Sequence, residues 1–475
     1  MTDAAPRLRL VEARFFERSV KLRLPFRFGV VTLTEAPQIF VRARVRMADG
    51  REGEGVSAEL LVPKWFDKSP ELSHEDNFNQ LRAALGLARR HLLDAGENTP
   101  FGLSASVEAA VHAECARRKL GGLIASFGLA LLDRAILDAL GRVENRTIFQ
   151  LVRDNRFALT SETAPDLAGF ELDKFLGKIE PAQSIHVRHT IGLVDVLTEA
   201  ETGQRLNDGL PESLEEAIAA YGHRYFKLKV GGALDADLDR LSRIAAVLDR
   251  ASAPYFATLD GNEQYSDIDA VVALWRRIGE EPSLARMKSS ILLLEQPIAR
   301  SAALEKSVAA LADEVPIEID ESDADISAFS RARELGYRGI SSKACKGFYR
   351  ALLNRARVEK WNAEAGTRRY FMSAEDLTTQ SGVAVQQDLA QALLVGATHV
   401  ERNGHHYVDG MAGAPDAEQE AFRAAHPDLY KRTSGRVRLA IREGQLTLGS
   451  LNETPGLATG PMPDFHAMVE SAPRE

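Results

Sequence analysis

The pattern of apolar and polar positions divides the chain into regions of different period. From about residue 7 to 61 the stretches KLRLPFRFG and APQIFVRARVRM, with the turn signal Asp49-Gly50, predict a β-meander. From about residue 76 to 142 the period becomes helical. FGLALLDRAILDALG puts Leu129, Leu132, Ala135, Ile136 and Ala139 on one face, and Gly141 is the expected helix stop. Strands followed by helices predict an N-terminal α+β capping domain over 1–155, followed by an irregular connector over 156–183.

From residue 184 strand and helix patterns alternate strictly. SIHVRHTIGL, YFKLKV, YFATLD, ILLLEQ, PIEID, YRGISSK, RYFMSAE and THVERN read as eight strands. Seven helical segments lie between them, among them LEKSVAALADE and GVAVQQDLAQALLVG. Such alternation implies parallel βαβ units. The fold class is therefore α/β, with a (β/α)7β TIM-type barrel over 184–404. A doubly wound open sheet is the competing architecture, weakened because no G-x-G-x-x-G follows the first strand. The segment 405–475 is rich in Gly and Pro. It carries a short strand pair around RVRLAIREGQLTLGSL and is expected to pack back onto the capping domain, completing it.

Composition narrows the function classes. The 475 residues are 45% hydrophobic and 27% charged, which excludes global disorder and disulfide scaffolds. The net charge of −9 gives no electrostatic reason to bind nucleic acid or an anionic membrane. HVRHT and SGRVRLAIR are too short to form a basic stripe. The two cysteines, Cys115 and Cys345, are expected to be reduced thiols. The N-terminal stretch has no apolar h-region and no run approaches a membrane span, so the expected compartment is the cytoplasm.

In a (β/α) barrel, functional groups come from the C-terminal strand ends. Here Lys229, Asp260, Glu295, Asp320 and Lys343 fall on five consecutive strand ends, at intervals of roughly 23–35 residues, about one βα unit each. Each piece alone has an ordinary explanation: K-x-K is usually a solvated strand face, and D-x-N a turn. The ordered series is more specific. Three carboxylates at one mouth would raise one another's pKa unless a cation neutralised them. Hard oxygen ligands suit Mg²⁺, with Mn²⁺ as an alternative, and no Cys or His joins the set to favour zinc. A divalent ion that chelates a substrate carboxylate stabilises an enediolate, so the α-proton becomes removable by a side-chain base. A lysine beside another cation and a metal can have a lowered pKa and so act as a base near neutral pH.

At these residues the sequence resembles the enolase superfamily, and within it the mandelate racemase/muconate lactonizing enzyme family, especially the muconate lactonizing enzyme-like subgroup. The resemblance covers most of the chain. FGLALLDRAILDALG is similar to the segment that closes the capping domain, and KLKVGG to the K-x-K strand. The resemblance implies Lys229 and Lys343 as opposed acid/base groups and Asp260, Glu295 and Asp320 as metal ligands. Lys227 and Asn262 are implied as supporting residues, and Glu321 and Lys346, at the fifth and sixth strand ends, join them as candidates by position. It also implies capping loops over the mouth, Pro25–Gly29 and roughly residues 56–66. Arg27, Phe28 and Trp65, with Phe66 as a further wall, are then candidate substrate contacts. Glu375 and Asp376 at strand 7, and Glu401 and Asn403 at strand 8, complete that set. His405 and His406 are placed either at the substrate or at an interface with the cap, and His189 as a buried structural residue.

Some positions depart from the family pattern. Gly347-Phe348 stands where Gly-Gly is frequent, Ser341 and Ser342 stand where apolar residues are usual, and strand 7 offers no His. No D-x-D stands at strand 8, where dipeptide epimerases carry their clue for an α-ammonium.

The expected function is Mg²⁺-dependent abstraction of the proton α to a carboxylate through an enediolate. An isomerase is the leading outcome: an epimerase or racemase, for example of N-acyl amino acids or dipeptides, or a cycloisomerase. An acid-sugar or hydroxy-acid dehydratase uses the same intermediate and is the enzymatic alternative. A non-catalytic metal-binding barrel is the third. The partner is a small-molecule carboxylate, with neither nucleic acid nor membrane, and the resemblance implies a homo-oligomer.

Overall fold

A computed structural model describes residues 5–472. The meander forms β1 (Leu8–Phe28), β2 (Val31–Met47) and β3 (Glu52–Leu60), paired antiparallel in that order. Along β1 buried and exposed residues alternate, with register shifts between Leu10 and Glu12 and between Lys21 and Phe26. The turn at Asp49-Gly50 is present, with Gly50 at φ 91°.

Three helices follow: α1 (His74–Asp94), α2 (Pro100–Arg117) and α3 (Gly122–Glu144). Ser73 caps α1 through a reciprocal capping box with Asp76, and Thr99 caps α2. The one-faced helix expected within α3 is instead buried on all sides from Leu123 to Gly141. It packs on β3, on α1 and α2, and against the turn Ala344–Lys346 that follows the sixth barrel strand, so tertiary packing overrides amphipathic patterning. Gly141 does not end it. The helix runs to Glu144, and Asn145 ends it in the left-handed region (φ 51°). Gly141 serves close packing instead: an added Cβ would stand 2.6 Å from the Cα of Gly456. Gly55 of β3 does the same, since an added Cβ would stand 2.2 Å from the Ala135 carbonyl oxygen of α3. Asp138 of α3 accepts from the amides of Val56 and Leu457, binding helix, sheet and C-terminal segment together.

The eight predicted barrel strands are all present: β4 (Ser184–Ile191), β5 (Tyr225–Lys229), β6 (Phe256–Asp260), β7 (Ile291–Glu295), β8 (Ile317–Ile319), β9 (Gly339–Ser342), β10 (Phe371–Ala374) and β11 (His399–Arg402). They run parallel in the order β10-β9-β8-β7-β6-β5-β4-β11, a single curl with no reversal, which rules out the doubly wound sheet. Among the described residues no ladder joins β10 to β11. An ion pair between Arg402 and Asp376, 3.3 Å apart, spans that seam.

Two helices differ from the pattern. LEKSVAALADE yields only Ala309–Ala312, because the Val308 amide donates to the Leu335 carbonyl and Ser307 takes the Ala309 amide. Ala285–Ser290 forms an unanticipated extra turn of helix before β7.

In the C-terminal segment, Arg436–Leu439 pairs with Tyr430–Thr433, not with the strand that follows it. That following strand, Gln445–Thr447, adds to the barrel beside β4, and Val469–Ser471 adds to the cap beside β1. Cys115 and Cys345 are buried and unpaired. No helix of the described residues is long and apolar enough to cross a membrane.

Candidate active site

Parallel pairing sets the first row of the site. Lys229 is the register partner of Asp260, and Asp260 that of Glu295, so three strand ends present their side chains side by side. Asp320, Lys343 and Glu375 are the residues immediately after β8, β9 and β10. All six side chains are buried.

Lys227 lies one layer deeper. Its Nζ stands 2.9 Å from Asp260 and 2.8 Å from each of Glu295, Glu375 and Glu401. One ammonium thus neutralises the centre of a four-carboxylate ring. Arg188 of β4 adds a second cation, 2.8 Å from Glu375. Lys229 Nζ donates to Asp260 Oδ2 at 2.5 Å. Across the mouth, Lys343 Nζ stands 2.7 Å from Asp320 Oδ2 and is paired with Glu375. Lys346 points beneath the mouth, where its Nζ donates to the carbonyls of Asp320 and Ser341 and pairs with Asp320 Oδ1 at 2.8 Å.

Charge balance decides the protonation states. Burial alone would raise Asp260, but Lys227 and Lys229 outweigh it and hold the carboxyl below its ordinary range. Burial is likewise outweighed at Glu375, by Lys227, Lys343 and Arg188. Glu295 goes the other way: burial, Asp260 and Glu375 push it well up. Glu321 is pushed up to about 7 by burial and by Asp320. At Lys343 burial would lower the pKa, but Asp320 and Glu375 lie against the ammonium and raise it well above its ordinary value.

One oxygen each from Glu295, Asp320 and Glu375 falls within 4.8 Å of the other two, a grouping able to hold a metal ion. Glu295 Oε2 and Asp320 Oδ1 have ammonium groups at ion-pair distance but no hydrogen bond of ordinary geometry. Buried oxygens short of donors, beside a carboxyl that burial forces toward its neutral form, fit a hard divalent cation. Of the three ligands implied by resemblance, Glu295 and Asp320 join this group. Asp260 stands beside it, its Oδ2 engaged by Lys227 and Lys229.

Backbone outliers concentrate here. Asn262, Glu263 and Gln296 all have positive φ (40°, 69° and 31°) just beyond β6 and β7. Gln296 explains one of them: its Oε1 accepts from the Asp320 and Ser322 amides, and its Nε2 donates to Ile298 and Ser322. It locks the Asp320 loop to the end of β7. Asn262 donates to Glu321 at 3.4 Å and its amide to Asp260 Oδ1 at 2.8 Å.

The cap closes the mouth. The cleft between them is walled on the cap side by Phe26, Phe28, Val62 and Trp65. Lys343 Nζ lies 5.2 Å from the centre of the Trp65 ring. Lys68 reaches from the same loop to Glu263 (2.5 Å) and to the Asn262 carbonyl (2.8 Å). Arg300 returns from the barrel to Glu263 and to the carbonyls of Trp65 and Phe66. Lys229, Lys343, Asp376, Glu401 and Asn403 also line the cleft. Arg27 does not. On a strand its side chain faces opposite to Phe26 and Phe28, and it is exposed. Phe66 packs against Phe127 instead of the cleft.

Glu401 is fully engaged, by Lys227 on one oxygen and by Thr190 and Asn403 on the other. His189, His405 and His406 do not line this cleft; their rings pack together, and the His406 carbonyl accepts from Arg23 of β1, at the interface with the cap. Sequence reasoning missed Arg188, Gln296 and Lys68, and within Pro25–Gly29 it singled out Phe28 but not Phe26 as a wall. Only Phe26 had a signal, its two-residue spacing from Phe28.

Comparison with known proteins agrees with this architecture. A family model described as enolase C-terminal domain-like matches residues 209–417. None of the curated proteins compared matches the chain. Among solved structures, a dipeptide epimerase from Enterococcus faecalis V583, complexed with Mg and L-Leu-L-Tyr, superposes with a TM-score of 0.59 at 14% identity. The match covers 95% of this chain and 100% of that one. A muconate lactonizing enzyme from Pseudomonas fluorescens, complexed with muconolactone, gives 0.58 at 18% identity over 97% and 98% of the two chains. An N-succinyl Arg/Lys racemase from Bacillus cereus gives 0.58 at 17% identity over 95% of each. Identities this low establish a shared fold.

Proposed function

The chain has the enolase-superfamily fold, with an enolase C-terminal domain-like barrel, and on that premise we propose that it is a Mg²⁺-dependent isomerase acting at the carbon α to a substrate carboxylate. The observation that carries this reading is the pair Lys229 and Lys343, which line one cleft from opposite flanks of the carboxylate cluster. Glu295 and Asp320, with Glu375 or Asp260, would hold the cation. That cation would neutralise the substrate carboxylate and the charge left when its α-proton departs, and would take over part of the negative charge that holds Lys343 protonated.

The protein's own groups supply the rest. Proton transfer between two faces of one carbon needs one neutral and one charged lysine. Lys343, held as an ammonium by Asp320 and Glu375, is a proton donor. Lys229, paired with Asp260 on the other flank, is the opposed group: it accepts the α-proton once it has given its own proton to solvent, and the roles exchange for the opposite enantiomer. Lys227 keeps the carboxylates in place. Phe26, Phe28, Val62 and Trp65 exclude water above the reacting carbon. Because both oxygens of Glu401 are already engaged, no free carboxylate at strand 8 awaits a substrate ammonium. An N-acylated amino acid suits the cleft better than a free α-amine.

The test is to incubate the protein with Mg²⁺ and single enantiomers of N-acyl amino acids and follow them by chiral chromatography. Interconversion that requires Mg²⁺ and falls about a thousandfold or more in Lys343→Ala is expected. Loss of water from acid sugars or hydroxy acids, with no interconversion, would assign the protein to the lyases instead.

A further inference from the structure

A second convergence of side chains lies on the outer side of the barrel wall. On β4, Arg188 points inward to Glu375, so His189 beside it points outward. His223, just before β5, and His405, just after β11, meet it there. One ring nitrogen of each lies within 4.8 Å of the other two. His189 Nδ1 and His405 Nε2 are 3.1 Å apart, and the His189 and His223 rings stack at 4.9 Å. His406 stands behind them, its ring 5.0 Å from that of His189.

We infer that His189, His223 and His405 form a binding site for a first-row transition-metal ion, zinc foremost, separate from the carboxylate mouth.

Hydrogen-bond accounting supports the site. A neutral imidazole has one donor and one acceptor nitrogen. Both nitrogens of His223 and Nδ1 of His405 and of His406 make no hydrogen bond of ordinary geometry, although all are buried atoms. His189 and His223 are 2% and 4% exposed. Among the described residues no carboxylate pairs with the three rings, so protonation would leave an uncompensated buried charge. His189 Nδ1 and His405 Nε2 hydrogen-bond each other, and a metal ion would replace that bond while also meeting His223, whose ring nitrogens make no hydrogen bond of ordinary geometry.

Coordination chemistry selects the ion. Three imidazoles and no hard oxygen suit Zn²⁺ and not Mg²⁺. Zinc–nitrogen bonds of about 2.0–2.1 Å place ligand nitrogens a little over 3 Å apart, which the present spacing reaches by small ring rotations. The fourth position falls to water or to His406. Access is available: His223 lines an open cavity with Gly222, Arg224 and Glu443, and His405 is only half-buried. The three ligands come from the first strand, the start of the second and the turn after the last. A bound ion would therefore fasten the β4–β11 side of the barrel.

The test uses the full chain, stripped by chelator and returned to excess Mg²⁺ so that the carboxylate mouth is filled. Zn²⁺ is then titrated against a competing chelator dye. One Zn²⁺ per chain is expected, with a raised thermal midpoint. Affinity is expected to fall by more than about tenfold in His405→Gln and to be unchanged in Glu295→Gln. His405 is the least buried of the three ligands, and Co²⁺ substitution in the unmutated protein gives a second readout that needs no variant. Intense visible bands of four-coordinate nitrogen ligation are expected. Absence of retained Zn²⁺, equal affinity in His405→Gln, loss in Glu295→Gln, or weak octahedral Co²⁺ bands alone would each overturn the inference.

Discussion

Replacing Lys227 with Met removes the cation from the centre of the site while keeping the length of the side chain. Its Nζ holds Asp260, Glu295, Glu375 and Glu401 at 2.8–2.9 Å. At an effective dielectric of about 20, each contact at that distance carries about 6 kcal/mol of Coulomb attraction before desolvation is subtracted. Removing one partner of a single buried pair costs about 3–5 kcal/mol net, because the other charge stays buried and unpaired. Four stranded carboxylates make that range a lower bound for the ionised site. Some of the cost is avoided by proton uptake, since Glu295 is already pushed upward by burial and its neighbours. In the variant the folded state then binds more protons than the unfolded state, so stability falls as pH rises. We expect Lys227→Met to lose about 2 kcal/mol near pH 5 and about 5 kcal/mol near pH 8. Saturating Mg²⁺ is expected to restore more stability to the variant than to the unmutated protein. Guanidinium unfolding at a series of pH values, with and without Mg²⁺, measures this. A loss below about 1 kcal/mol that does not vary with pH would refute the assignment of Lys227 as the cation that holds the site together.

Two further substitutions test the cap. Asp133 of α3 is pushed up to about 8 by burial, against a hydrogen bond from Ser104 that lowers it, so stability is lost as pH rises from its unfolded value near 4 to 8. Asp133→Asn is expected to add about 2 kcal/mol at pH 8 and nothing near pH 4, read by denaturant unfolding at both; an equal effect at the two pH values would contradict it. Gly55→Ala is expected to cost about 3 kcal/mol or more, because the new Cβ meets helix backbone at 2.2–2.3 Å, and a loss under about 1 kcal/mol by the same unfolding assay would show that α3 gives way freely.

Much of the barrel is legible in the sequence because its strands are buried on both faces. ILLLEQ opens on an unbroken apolar run, PIEID and YFKLKV are short β-rich runs broken only by residues that face the barrel interior, and all eight strands fall where such runs alternate with helical segments. The C-terminal ends of those strands then point to Lys229, Asp260, Glu295, Asp320 and Lys343 without any structure. What is not legible depends on neighbours distant in sequence. Gly141 reads as a helix stop, but its role is to let Gly456 approach, and Asn145 ends the helix. Glu375 reads as a strand end, and nothing local says that it joins Glu295 and Asp320 or that Lys227 and Arg188 neutralise it. The upward shift of Lys343 depends on the same carboxylate. Arg27 illustrates the limit of motif reading: its loop does cover the mouth, but a period of two turns its side chain outward. The three histidines lie 34 and 182 residues apart and follow no metal-binding spacing, so only folding brings them together.

The two-lysine assignment is tested most directly by isotope exchange resolved by stereochemistry. The protein, Lys229→Ala and Lys343→Ala are each incubated in D₂O with Mg²⁺ and with separate enantiomers of the N-acyl amino acids, and deuterium at the α-carbon is read by mass spectrometry. The unmutated protein is expected to exchange both enantiomers, with each variant retaining exchange of one enantiomer and losing that of the other. Exchange that persists for both enantiomers in both variants, or a complete absence of α-exchange in the unmutated protein, would contradict proton transfer between Lys229 and Lys343.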